Sequence, residues 1–301
     1  MKVLITGSNG LLGQHLVKLL AKEPSFQVVS TALGQNRLTE KQNYEYRSLD
    51  ICSPEEVSSV IRECRPDAII HAAAMTQGDD CERDHALCWD VNVKATEYLI
   101  QAARDIRAYF LLVSTDFIFD GLEGPYAENA VPNPVNYYGL SKLAAEMLLP
   151  ASGLSWSIAR TILVYGVAEE MSRSNIILWV KKSLEEGKRI KVVDDQWRTP
   201  TLVQDLADGC RLMVEKEATG TFHISGRDML TPYEMALQVA DFFNLDASLI
   251  EKADGSTFSQ PARRPARTGF VLDKASGMLG YHPHSFAEGI AVVAGSLKQN
   301  A

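Results

Sequence analysis

Tyr138 and Lys142 stand four residues apart in Tyr-Gly-Leu-Ser-Lys, inside a stretch whose pattern predicts a helix, so both project from one helical face. A phenol near its ordinary pKa of about 10 is a poor acid–base catalyst at neutral pH, and a nearby ammonium favours the phenolate. About 23 residues upstream, Ser114-Thr115-Asp116 follows the apolar, strand-like run Tyr109–Val113. In a parallel α/β sheet, ligands bind beyond the carboxyl ends of the strands, where a hydroxyl can donate to a substrate carbonyl. Each signal also has a plainer reading. Tyr-x-x-x-Lys can be a surface pair, and Ser, Thr and Asp favour turns and caps.

A third element gives these two a common purpose. MKVLITGSNGLLG sets Gly7, Gly10 and Gly13 between the apolar run Val3-Leu4-Ile5 and a helical pattern of Leu12, Leu16, Leu19 and Leu20. Gly7 allows a tight turn out of the strand, Gly10 lets backbone approach a pyrophosphate, and Gly13 lets the helix pack closely. The helix start offers free N–H groups and a positive dipole end to an anion. Gly7, Asn9, Gly10, Leu11 and Leu12 are therefore the turn residues expected to touch a dinucleotide. A strand-end hydroxyl, a Tyr–Lys helix and a nicotinamide between them would form a hydride-transfer site.

Positioning those groups requires a sheet, and the pattern supplies one. Strands are expected at Lys2–Thr6, Val28–Ala32, Tyr44–Leu49, Ala68–Ala72, Tyr109–Ser114 and Trp156–Arg160. Helices alternate with them: about Leu11–Ala21, a helix opened by a capping box at Ser53-Pro54-Glu55-Glu56, a long one around Asp84–Arg104, and about Tyr137–Leu149. This rhythm specifies an α/β fold of the Rossmann type, a doubly wound parallel sheet with right-handed crossovers. Residues 1–165 form the expected dinucleotide-binding domain, with segments around 195–226 returning to it. Residues 166–301 read mainly as a smaller α+β substrate-binding lobe. Its expected elements are a helix near Asn175–Glu186, a strand Arg189–Val193, a helix from Leu202, a strand Thr221–Ile224, a helix opened by the capping box Thr231-Pro232-Tyr233-Glu234, and a terminal helix near Phe286–Leu297.

Composition limits the partners. The chain has 301 residues, 46% hydrophobic and 23% charged, with a formal net charge of −8. That field repels nucleic acid and anionic membrane, and no apolar run approaches the roughly 20 residues needed to cross a bilayer. Five cysteines without a C-x-x-C pair, and an N-terminus that opens directly into a strand, read as a reduced cytoplasmic protein. Asp79-Asp80-Cys81-Glu82 and the pair His282/His284 fit no metal-ligand spacing, so no metal is expected. His71 ends a buried strand and reads as a hydrogen-bonded structural residue.

Taken together, these segments resemble the extended short-chain dehydrogenase/reductase superfamily, and within it the dTDP-4-dehydrorhamnose reductase family. The resemblance rests on TGSNGLLG at 6–13, RPDAIIHAAAMT at 65–76, VN at 91–92, STDFIFDG at 114–121 and NYYGLSK at 136–142. It continues through RTILVYG at 160–166, DDQWRTPT at 194–201, FHISG at 222–226 and PARRPARTGF at 261–270. It implies a catalytic set of Thr115, Tyr138 and Lys142, with Tyr138 protonating the C4 oxygen of a keto-sugar nucleotide as a hydride arrives at C4. It further implies cofactor contacts from Asp50 and Ile51 near the adenine, from Ala72, Ala73 and Ala74, and from Asn92, Ser114, Tyr138 and Lys142. On the substrate side it implies Thr76, Thr115, Asp116, Leu163, Gln196, Trp197, Arg198, Arg263 and Arg264. Family likeness alone suggests a homodimer.

Two departures bear on the sugar. Leu163 stands where family members often carry a Trp that contacts the deoxysugar, and Arg198 replaces a glycine, adding a cation to the cleft. Trp197 reads either as a base-stacking ring or as a core aromatic. The arginines of the 261–270 loop match a diphosphate through their planar guanidinium groups. The segment Ser30–Arg37 holds no acid to accept from a ribose 2′-hydroxyl, while Arg37 suits a 2′-phosphate, so NADP(H) is preferred with NAD(H) as the alternative. A solvated loop arginine is the plainer reading of Arg37.

The function expected is an NAD(P)H-dependent reductase of a 4-keto-6-deoxy-sugar nucleotide. The alternatives are a sugar-nucleotide epimerase, or a non-catalytic subunit resembling the regulatory subunit of methionine adenosyltransferase. Dehydration is disfavoured because Asp116 is followed by Phe117 rather than a second carboxylate.

Overall fold

The chain is described here from a computed structural model, covering residues 1–171 and 174–299. Seven parallel strands make its centre: β1 (Lys2–Thr6), β2 (Gln27–Ala32), β3 (Tyr44–Ser48), β4 (Ala68–His71), β5 (Tyr109–Thr115), β6 (Trp156–Thr161) and, entering late, β10 (Gly220–His223). Their spatial order is β10-β6-β5-β4-β1-β2-β3, so the chain reverses direction between β1 and β4. That reversal opens the crevice in which doubly wound sheets hold ligands.

Strand alternation sorts the side chains to two buried faces. Val3, Ile5, Val28, Ile70 and Leu111 face α1 (Leu11–Leu20), α8 (Val203–Glu215) and α10 (Asp273–Leu279). Leu4, Val29, Ile69, Phe110 and Leu112 face α2 (Pro54–Cys64), α5 (Ala95–Ile106) and α6 (Tyr137–Met147). A further core gathers α7 (Ile176–Glu185), α9 (Pro232–Phe242) and α11 (Phe286–Gln299). Packed with them are the two-strand sheet of β8 (Ile190–Val193) with β11 (Ile250–Ala253) and the short pair β7 (Val164–Tyr165) with β9 (Thr201–Leu202).

Most expected elements are present, with three differences of physical interest. The long helix expected around Asp84–Arg104 is broken into α4 (His85–Trp89), a π-helical turn at Asp90–Lys94, and α5, and a separate short helix, α3 (Gly78–Arg83), precedes it. Asp84 ends α3 with an extended backbone, and its side chain caps α4 by accepting from Leu87 N. The capping box at Ser53 is only half formed. Ser53 Oγ accepts from Glu56 N, but the Glu56 carboxylate accepts from Asp50 N instead of reaching back to residue 53. The box at Thr231 and Glu234 is complete in both directions. Finally, α10 and β11 had no periodic signal strong enough to announce them.

Helix α6 is fastened to the sheet by a buried ion pair. Arg160 on β6 donates from Nε to Glu146 Oε1 at 3.0 Å and from its terminal NH2 group to Oε2 at 2.7 Å, and both side chains are nearly inaccessible. Removing one member of such a pair strands the other charge in the interior. We therefore expect Arg160→Met to lower unfolding free energy by about 3–5 kcal/mol in urea denaturation, and the double variant Arg160→Met/Glu146→Leu to recover most of that loss.

Candidate active site

A cavity of about 980 Å³ runs from the glycine turn past the end of β5 to the face formed by α7 and β8. Gly7 opens it with a left-handed φ of +70°, and a Cβ there would lie 2.8 Å from the Ala73 backbone. Gly13 is tighter still, since an added Cβ would fall 2.2 Å from Gly7 O. These two positions are fixed by backbone-to-backbone approach between β1, α1 and the end of β4. Helix α1 starts at Gly10 with neither a side-chain cap nor an acid in its first turn, so its N–H groups and positive dipole end face the cavity. Asn9 steadies the turn, donating to Gln35 O and accepting from Arg37 N.

At the far end of β5 the expected convergence is present. The Thr115 hydroxyl lies close enough to the Tyr138 phenol to act on its pKa, and both residues border the cavity with Lys142. Thr115 Oγ1 accepts from Phe117 N at 3.2 Å and donates to Asp116 Oδ1 at 3.1 Å. Asn136 caps α6 by accepting from Gly139 N, which fixes the helix start one residue before Tyr137. Burial pushes the Tyr138 phenol well above its ordinary pKa; the Thr115 hydroxyl opposes this, and the Asp116 charge adds to it. Lysine does not pull the phenol down here, contrary to the expectation from the four-residue spacing. Lys142 is itself buried and donates from Nζ to Val113 O at 2.8 Å, and burial lowers its pKa to about 8 against an opposing push from Glu146. Ser114 Oγ, 3% exposed, has no hydrogen-bond partner in the protein and belongs to the cavity wall.

The residues named from sequence divide in two. Gly7, Asn9, Gly10, Leu11, Leu12, Arg37, Ala72, Ala73, Ala74 and Ser114 border the cavity, as do Thr76, Thr115, Asp116, Leu163, Gln196, Arg198 and Arg264. Leu163 is 43% exposed there with a left-handed φ of +38°, an uncommon conformation for a leucine. Asn92, Asp50, Ile51, Trp197 and Arg263 lie outside it. Asn92 is buried, donates to Met75 O and Ser141 Oγ, and accepts from Met75 N, so it braces α6 rather than facing a ligand. The π-turn places that amide, which a regular helix would have rotated away. Asp50 caps Cys52 N, Arg263 is exposed, and the Trp197 ring lies beneath the Arg267 guanidinium. Arg264 pairs with Asp79 at 3.1 Å. His71 is held between Thr6 and Thr96 hydroxyls, and burial lowers its pKa to about 3, so it stays neutral. His284 pairs with Asp205, and no group of three metal-ligating side chains occurs among the described residues.

Sequence reasoning missed the wall opposite the sheet, where Trp179, Val193 and Phe258 border the cavity. It also missed a strap. Gln14 on α1 donates to Glu169 O and accepts from Glu169 N, while the Glu169 carboxylate takes Lys18 at 2.8 Å and Thr39 N at 2.7 Å. Nothing in the pattern announces either, because each contact joins residues far apart in the chain.

The fold and this Thr–Tyr–Lys cluster define an α/β protein of the Rossmann type with a site at the sheet's carboxyl edge. The chain belongs to the family described as RmlD substrate binding domain, whose model matches residues 1–298. It is 33% identical to the methionine adenosyltransferase 2 subunit beta of Xenopus tropicalis over 82% of this chain and 73% of that one. It also resembles the crystal structure of a dTDP-4-dehydrorhamnose reductase from Clostridium acetobutylicum, with a TM-score of 0.88, 28% identity, and 99% and 100% of the two chains covered. The dTDP-4-dehydrorhamnose reductase of Bacillus anthracis, solved in complex with NADP, gives a TM-score of 0.84 at 27% identity over 98% of this chain and 99% of that one.

The buried ammonium has a measurable consequence. The folded state holds Lys142 at a pKa of about 8 against 10.5 ordinarily, so below pH 8 the protein bears a burial cost of about 3 kcal/mol. Between pH 8 and 10.5 the unfolded chain binds the extra proton, and stability rises with pH through this group. Lys142→Met should be more stable than wild type at pH 7, with the difference shrinking as pH climbs to 10.5 in urea titrations.

Proposed function

We propose that this protein is an NADP(H)-preferring reductase of a 4-keto-6-deoxy-sugar nucleotide, with residues 1–165 and the returning 195–226 segments holding the cofactor and most of 166–301 holding the substrate. The observation that carries the reading is that Thr115, Tyr138 and the buried Lys142 line one cavity with the glycine turn. The cavity suits a nicotinamide dinucleotide on its own terms. Gly7 and Gly13 leave no room for side chains in the turn, the uncapped α1 start suits a pyrophosphate, and the Ser114 hydroxyl lacks a protein partner where a polar ligand group would supply one. A reduced nicotinamide dinucleotide bound there supplies a hydride to the ketone carbon.

The chain's own residues do the rest. Tyr138 keeps its proton at neutral pH because burial opposes the phenolate, as a proton donor to a carbonyl oxygen must. Thr115 orients that oxygen beside the phenol, and Lys142, one helical turn along α6, borders the same cavity with its Nζ hydrogen-bonded to Val113 O. Leu163 and Arg264 border the space for the sugar nucleotide, and Arg264 adds a guanidinium suited to phosphate.

The test is turnover of reduced cofactor with a panel of 4-keto-6-deoxy-sugar nucleotides, followed by nicotinamide absorbance. Tyr138→Phe should lose roughly 100- to 10,000-fold in kcat while binding NADPH as tightly as wild type. Unchanged turnover in that variant would remove Tyr138 as the acid. Arg37, bordering the cavity beside Asn9, supports the 2′-phosphate reading. Arg37→Ala should weaken NADPH about tenfold or more in fluorescence titrations and leave NADH affinity unaltered. Equal losses for both cofactors would return Arg37 to the solvated loop.

The likeness to the methionine adenosyltransferase subunit favours a second reading, in which nucleotide binding serves association with a catalytic partner. Tight NADPH binding with no turnover on any keto sugar, together with co-elution with a methionine adenosyltransferase catalytic subunit, would favour it.

A further inference from the structure

We propose that Arg198 is a positioning residue that links the 261–270 loop to the Thr115 hydroxyl through Asp116, its donors being spent on the protein rather than on a substrate phosphate; this rests on the reading of Thr115 given above. The family resemblance assigned Arg198 to the substrate, and it does border the cavity. Yet it is 5% exposed, and its fork is occupied. One terminal NH2 group donates to Trp197 O at 2.7 Å and Ala266 O at 3.1 Å; the other donates to Pro265 O at 2.6 Å and Gln196 Oε1 at 3.3 Å. The remaining donor, Nε, faces Asp116 Oδ2 at 3.9 Å. A guanidinium offers five N–H groups in a fixed plane, so little is left for a ligand.

Asp116 completes the link. It is 3% exposed, its Oδ2 accepts from Thr268 Oγ1 of the same loop, and its Oδ1 accepts from Thr115 Oγ1. The loop is thereby tied to the strand end twice, through Arg198 to its carbonyls and through Thr268 to the carboxylate. The backbone supports both ties, with Trp197 N donating to Ala266 O and Thr268 N to Trp197 O. Two effects follow. The wall bearing Arg264 is held against the cavity before any substrate arrives, and the Thr115 hydroxyl has one preferred rotamer rather than three. A lysine at 198 keeps a charge but cannot span three carbonyls and a carboxylate.

The test uses the full chain with Arg198→Met, Arg198→Lys and, as a milder cut in the same link, Thr268→Val. Tryptic cleavage of the native protein after Arg263 and Arg267, mapped by mass, reads the loop. Threonine-methyl NMR reads Thr115, with Thr6 as a distant reference. Both Arg198 variants should be cut about tenfold faster or more in the loop, and the Thr115 methyl should move in all three while Thr6 stays. Where wild type reduces a keto-sugar nucleotide, Arg198→Met should lower kcat about tenfold with an unchanged NADPH dissociation constant. Wild-type protease resistance and an unmoved Thr115 methyl would overturn the proposal. So would a loss confined to KM, which would return Arg198 to substrate contact. If wild type reduces no keto sugar, the reductase reading falls, while protease and methyl data still decide whether the link exists. Should Arg198→Met fail to fold, Thr268→Val alone must move the Thr115 methyl for the proposal to stand.

Discussion

An ammonium placed in the interior with a neutral carbonyl as its hydrogen-bonded partner is the constraint from which the rest of this structure follows. Lys142 donates to Val113 O at the end of β5, and the Glu146 carboxylate one turn further along α6 is engaged by Arg160. Such a charge is costly, and a protein under selection for stability alone would not keep it. It is tolerated because α6 is held in register by the buried Arg160–Glu146 fork, by the Asn136 cap, and by the Asn92 amide that braces Ser141. The same fastenings set Tyr138 against Thr115. The cluster is therefore held by α6's fastenings on one side and borders the cavity on the other.

The opposite end of the cavity is governed by steric closeness rather than charge. Gly7 and Gly13 let α1, β1 and the end of β4 approach to distances that a single methyl would prevent. The strap at Glu169, between β7 and α7, then crosses onto α1, exchanging two backbone hydrogen bonds with the Gln14 amide. The segment leading into α7 thus meets the sheet over the turn. A ligand in the cavity along the turn would border both.

How much of this could be read from residues depended on how local each determinant is. The glycine turn, the strand-end hydroxyl and the Tyr–Lys spacing are short-range patterns, and each was legible with its position. The parallel, doubly wound sheet followed from the β-α-β rhythm. Local patterns failed where a feature is defined by contacts across the fold. The π-turn at Asp90–Lys94 looks like ordinary helix in sequence, and the amide of Asn92, which the family resemblance gave to the cofactor, faces Met75 and Ser141. Trp179 and Phe258 border the cavity from α7 and from a loop some eighty residues later, a proximity no spacing rule encodes.

Arg198 shows the same limit most sharply. A cation in a cleft reads from sequence as a phosphate ligand, because composition counts charges without showing which donors are already engaged. Here the fork is turned onto the protein's own carbonyls and toward Asp116, so the charge acts on geometry. Guanidinium groups suit this work, since one planar group can satisfy several acceptors that would otherwise be buried without partners. The distinction matters for any attempt to alter sugar preference in this cleft. Replacing Arg198 would loosen a wall and a hydroxyl together, whereas Leu163 stands exposed with its side chain free to exchange for another shape. Under the proposed reading, changes in ligand preference should be sought at Leu163, and changes at Arg198 should be read as effects on the scaffold that holds Thr115.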